Sequence, residues 1–135
     1  MTPKTWIIVG SLLAGLSVAL GAFGAHLLPG ALRQQGLDEA ELLRRLANWE
    51  TAARYQMYHA LAILFVGWLL SRESGTLAQG AGWSFLLGTV IFSGCLYALV
   101  LSGVKVLGAV VPIGGLLLIA GWLLLAAAAW TWPGK

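Results

Sequence analysis

Two histidines stand in a chain of 135 residues of which only 10% are charged, and each lies in or at the edge of a long apolar run. His26 closes the first run, and His59 lies about two helical turns inside the second. An imidazole among hydrocarbon groups costs free energy unless it finds a partner, so these are the positions to explain first. Tyr55 precedes His59 by four residues and Gln56 by three, which on a helix puts a phenol, an amide and an imidazole on one face. Thr51 extends that face outward by a turn, and Glu50 stands near its mouth. Antiparallel packing of the first two runs would bring His26 to the depth of Glu50 through Tyr55, with His59 about a turn deeper. Ser93 and Tyr97, four residues apart in the third run, can reach the same interior or bond locally.

Three chemistries suit this set. The groups can satisfy one another as a polar network that locks helices together. They can bind a ligand or relay a proton. Two imidazoles with a carboxylate can also hold zinc, copper or iron, although His26 and His59 lack a tight spacing such as H-E-x-x-H. No catalytic residue is assigned, and no metal or other cofactor is expected. The single cysteine, Cys95, can build neither a disulfide framework nor a thiolate cage within one chain.

The elements that must position these residues are readable from hydropathy. A composition that is 59% hydrophobic departs far from that of soluble domains, where about a quarter of residues are charged. Apolar segments over 5–28, 52–71, 81–102 and 107–130 are each long enough to cross a hydrocarbon core about 30 Å thick. Backbone groups in lipid must be paired within the segment, so helices are required. The expectation is one all-α domain over 1–135, an integral membrane four-helix bundle. The first run resembles a cleavable signal peptide, but it continues to Leu28 without a polar stretch before a cleavage site.

Between the first two spans a short amphipathic helix is expected over 38–48. Asp38 can cap its start, with Glu41 three residues on, and Leu42, Leu46, Trp49 and Ala53 recur at helical intervals. Arg44, Arg45 and Asn48 fall on the opposite side, and Glu41–Arg45 and Glu50–Arg54 have the favourable i,i+4 order. This helix can lie flat on the bilayer before the chain turns inward. Trp6, Trp68, Trp83, Trp122, Trp130 and Trp132 fall mostly near span ends, where they read as interface anchors.

Small residues recur four apart around Gly15 and Gly21 in the first span and Gly88 and Gly94 in the third, a spacing that lets backbones approach closely in lipid. Gly24, Gly114 and Gly115 are further packing positions, and Pro112 interrupts the fourth span near its start, as an entry kink or as a broken helix beside a substrate site. The eight Lys and Arg against five Asp and Glu lie at segment ends, so they concern topology and not nucleic acid. Arg33, Arg44, Arg45, Arg54 and Lys105 outnumber Lys4, Arg72 and Lys135 on the other side, too small a margin to decide orientation.

The ordered motifs Gly21-Ala22-Phe23-Gly24-Ala25-His26, Trp49 with Ala53, Tyr55-Gln56, His59-Ala60-Leu61-Ala62, Phe92-Ser93-Gly94-Cys95-Leu96-Tyr97 and Pro112-Ile113-Gly114-Gly115 cover nearly the whole chain. Together they resemble the membrane-protein family catalogued as domain of unknown function 423, whose bacterial members are called YgdD-like and whose eukaryotic members are called transmembrane-protein-256-like. The chain departs from that pattern at Leu27 and Val111, where the family often has Gly and Thr. The resemblance implies a four-helix protein of the bacterial inner (plasma) membrane and supplies no activity. The expected function is a non-enzymatic bundle that self-associates or joins a larger membrane complex, with the lipid bilayer as its surroundings. The alternatives are a small transporter or channel-like protein with a polar site around Tyr55, Gln56 and His59, and a metal- or quinone-dependent enzyme.

Overall fold

The computed structural model describes residues 1–72 and 75–131, so Trp132 and Lys135 lie outside the described residues. Among the described residues five helices follow in chain order: α1 (Pro3–His26), α2 (Leu28–Arg33), α3 (Glu39–Arg72), α4 (Thr76–Ser102) and α5 (Val106–Trp130). Among the described residues there is no strand. By length and composition α1, α4 and α5 can each cross a membrane. Their outward side chains, Leu12, Val18, Leu116 and Leu123 among them, form an apolar surface that water would not tolerate at this extent.

α3 differs in kind. Thirteen of its residues are buried against three in α1, nine in α4 and four in α5, so it is the most enclosed of the long helices. The extensive pairings are α1 with α3, α3 with α4, and α4 with α5. These neighbours run antiparallel, since contacts pair rising numbers on one helix with falling numbers on the next: Ser17 with Ala53 and Leu13 with Gln56, then Ala52 with Ser93 and Arg45 with Val100.

Two expectations need correction. The amphipathic segment over 38–48 is not a separate helix lying flat; it is the first third of α3, which at 34 residues is about 50 Å long. No Gly or Pro interrupts the chain between Asp38 and Gly67, and the Glu41–Arg45 and Glu50–Arg54 pairs both form, so nothing stops the helix between its polar start and its apolar end. Asp38 Oδ1 accepts from the Glu41 amide at 2.8 Å, as the capping pattern predicts. The first span, expected over 5–28, ends at His26, and a short helix follows it. α2 turns Leu28 and Leu32 inward onto Leu42, Trp49 and Val100, closing this end of the molecule with a second apolar cluster.

Glycines set how closely the helices approach. A Cβ on Gly88 would meet Leu118 at 2.6 Å, and one on Gly114 would meet the Phe92 backbone at 2.5 Å. At Gly24 it would strike the Trp49 indole at 2.4 Å. Gly115 makes only ordinary contact with the Phe92 ring, and Gly15, Gly21 and Gly94 have nothing within 4 Å, so those three do not serve packing within the chain. Gly10, four residues before Ala14, is a close-approach position, and so are Gly67, Gly82 and Gly121, which spacing alone does not single out. α5 runs unbroken through Pro112, so the broken-helix expectation does not hold there.

Candidate functional site

Gln56 lies where α1, α3 and α4 meet and is 3% exposed. Its amide nitrogen donates to the Leu13 carbonyl of α1 at 2.9 Å, and its amide oxygen accepts from the Tyr97 hydroxyl of α4 at 3.1 Å. One side chain on α3 therefore ties two neighbouring helices. Serines do the same from the other direction: Ser17 of α1 donates to the Ala53 carbonyl at 2.7 Å, and Ser93 of α4 donates to the Ala52 carbonyl at 2.9 Å. Those carbonyls accept a second bond besides their helical one, so the helix is kept intact while its neighbours are fastened.

His59 is 5% exposed and links α3 to α5. Its Nδ1 lies 2.7 Å from the Tyr55 carbonyl, and its Nε2 lies 3.2 Å from the Trp122 indole nitrogen. A carbonyl can only accept and an indole N–H can only donate, so the two partners together require a proton on Nδ1 and a lone pair on Nε2. The ring sits among Phe85 and Trp122. Both nitrogens are engaged, which leaves the imidazole no lone pair for a metal unless Trp122 withdraws.

The remaining predicted residues disperse. Tyr55 stacks on Phe92 at 4.8 Å and is partly exposed. Thr51 bonds back to the Ala47 carbonyl at 2.9 Å within its own helix. Glu50 is exposed and pairs with Arg54. His26 is exposed at the end of α1. Because Leu20 pairs with Trp49 and Ser17 with Ala53, His26 comes level with residues 43–44 of α3. That puts it about 15 residues, or about 23 Å, along the axis from His59, so the two imidazoles do not share one site. Among the described residues no three His, Cys, Asp or Glu side chains converge as metal ligands.

Sequence reasoning missed the tryptophans' part in this network. Trp6 is 0% exposed and donates to Gln79 Oε1 at 2.9 Å; it packs over Gly82 and serves as a core residue, not as an interface anchor. Trp49 donates to the Leu20 carbonyl at 2.8 Å, lies over Gly24, and packs against Phe23 and Tyr97. The available signal was a glycine level with a tryptophan on a neighbouring helix, which needs the register to be read. Among the described residues the Thr89 hydroxyl is the buried side-chain group without a hydrogen-bond partner.

At the polar end of α3, Glu41 accepts from Arg45 Nε at 2.8 Å and also pairs with Arg44. Arg45 is no solvated cation: 13% exposed, it donates onward to the Val100 carbonyl at 3.1 Å and Gln35 at 3.3 Å, tying α3 to the end of α4. The Arg45 hydrogen bond holds the Glu41 carboxyl below its ordinary value of 4.5, with desolvation opposing and the Arg44 and Arg45 charges adding to it. A depressed carboxyl contributes stability above its unfolded value and loses that contribution as pH falls through the folded one. Amide exchange in the first turns of α3, corrected for intrinsic rates, should therefore quicken between about pH 5 and about pH 3 while the α4–α5 contact stays protected. Equal protection of the α3 start at both ends of that range would exclude this role for Glu41.

The family described as "Protein of unknown function (DUF423)" matches residues 20–115. A UPF0382 membrane protein of Staphylococcus haemolyticus is 43% identical over 131 residues, which is 97% of this chain and 99% of the relative. A UPF0382 membrane protein of Staphylococcus epidermidis is 44% identical over the same shares, and the UPF0382 membrane protein YwdK of Bacillus subtilis is 39% identical over 127 residues, 93% and 96% of the two chains. No solved structure matches significantly. With the matched stretch running from the end of α1 through Gln56, His59, Ser93 and Tyr97 to the Gly114 contact, the chain belongs to the DUF423 family, whose relatives here are named UPF0382 membrane proteins.

Proposed function

We propose that the chain crosses a bacterial inner membrane four times, as α1, the distal part of α3, α4 and α5, and works there as a non-enzymatic helical subunit that associates with itself or with a larger membrane complex. The observation that carries this reading is the commitment of Gln56 and His59, the two polar side chains best placed for chemistry, to bonds that join α3 to its neighbours. A polar group used in this way fixes helix register in lipid, where apolar contact alone discriminates poorly.

α1 supports the association part. It pairs extensively with α3 and briefly with α2, and its other side, with Ser11, Gly15, Ala19 and Ala22, is exposed. Small residues four apart there permit another helix to approach closely.

Crosslinking in native membranes followed by purification in mild detergent tests the reading. The expected result is a dimer or a larger complex that Gly15→Leu weakens without lowering the melting temperature, because a Cβ at Gly15 would meet no other helix of the chain within 4 Å. Recovery of the unaltered protein only as a lone monomer, with no crosslinked species, would reject it.

A further inference from the structure

A different feature lies at the other side of α3. Where the first turns of α3 meet the end of α4 and the start of α5, a pocket of about 240 Å³ is lined by Glu41, Arg44, Arg45, Asn48, Leu99, Gly103 and Lys105. Three cations face one carboxylate, a local charge of +2. Glu41 is already engaged by both arginines, while Lys105 has no ion-pair partner among the described residues. Lys105 is also the N-cap residue of α5, so the positive end of that helix adjoins the pocket. Gly103, with φ 72°, ends α4 and lets Arg45 lie against the turn: a Cβ there would come within 2.7 Å of the guanidinium.

The depth of the pocket identifies the class of anion. α4 has 27 residues and spans about 40 Å, so some 10 Å of it exceeds a hydrocarbon core about 30 Å thick, and its last turn falls among headgroups. Leu99 supplies an apolar part of the lining, and about two turns further along the same two helices Tyr55 of α3 stacks on Phe92 of α4. α3 and α5 flank α4 here without packing extensively on each other, which leaves the furrow open to lipid.

We propose that this pocket binds the phosphate of an anionic glycerophospholipid, with Arg44 and Lys105 contacting the headgroup from opposite walls and Arg45 as the fixed positive floor. The acyl chains then lie over the apolar furrow. The positive charge comes from two places in the sequence, Arg44-Arg45 and Lys105, that only the α3–α4–α5 junction brings together, and cationic pockets at this depth suit lipid headgroups. This site is separate from the exposed face of α1, so either proposal can fail without the other.

Native mass spectrometry of the full chain from mild detergent, with phosphatidylglycerol and phosphatidylcholine of identical acyl chains as competing probes, reads the preference directly. The expected result is one retained phosphatidylglycerol, favoured by about tenfold over phosphatidylcholine. The double variant Arg44→Gln, Lys105→Gln should bring that ratio near one. The variant Lys4→Gln, Arg33→Gln, with equal charge removed elsewhere, should leave it unchanged. Inorganic phosphate supplied alone should neither displace the lipid nor raise the melting temperature as the lipid does; an equal effect would assign the pocket to a free anion and overturn the lipid assignment. Equal retention of the two lipids, an unchanged preference in the folded Arg44/Lys105 variant, or an equal loss in the Lys4/Arg33 variant would each overturn the proposal.

Discussion

Replacing Gly114 with leucine should separate α5 from α4 and destabilise the protein by about 3 kcal/mol or more, the upper range for overpacking a close contact. The glycine lies against main chain. Its missing Cβ would sit 2.5 Å from the Phe92 nitrogen and 2.8 Å from the Phe92 Cα, and a helix backbone cannot rotate aside as a side chain can. The damage should spread, because Phe92 also stacks on Tyr55 of α3. Gly94→Ala is the matched control. Nothing lies within 4 Å of that position, so alanine there should be neutral or should stabilise by about 0.5–1 kcal/mol through helix propensity. Thermal unfolding in mild detergent measures both; a Gly114→Leu protein melting with the parent would show that α4 and α5 are not held at this distance.

Gln56→Leu should have the second-largest effect, a loss of about 2 kcal/mol. The leucine fills similar space but gives up the bonds to Leu13 and Tyr97, and it leaves the Tyr97 hydroxyl facing hydrocarbon. Single bonds between helices in lipid average about 0.6 kcal/mol, so Ser17→Ala and Ser93→Ala should each cost much less than Gln56→Leu. The ordering is the informative part. If Gln56→Leu costs no more than either serine variant, the amide is not the junction of three helices. A double change with Tyr97→Phe tests the same point, since removing both partners should cost less than the sum of the single losses.

Gln56 also shows how much of the site was legible beforehand. Its place on one face with Tyr55 and His59 follows from helical spacing, and so does the need for a partner, because an amide among apolar residues cannot remain unpaired. Ser93 and Tyr97 were identifiable for the same reason. Spacing alone places His26 too deep, level with Glu50 through Tyr55: its neighbourhood depends on the offset between α1 and α3, and that offset is set by Trp49 seating over Gly24 and Ile7 over Gly67. Trp122 read as an interface ring because hydropathy is blind to an indole N–H aimed at an imidazole on another helix. Gly15 and Gly114 look alike in sequence, yet one is open and the other touches backbone.

From residue order alone come the long apolar helices, the Asp38 cap and the i,i+4 ion pairs of α3. Each of these depends on neighbours within about one or two turns, or on the mean hydropathy of a segment, and such quantities are local. Only the tertiary structure decided which polar groups meet, which glycines are contact points, and that Arg45 is tucked beneath the end of α4 while Arg44 and Lys105 face one pocket. Those outcomes depend on rotation and axial offset between helices, which change every side-chain contact while leaving each helix's own sequence pattern satisfied.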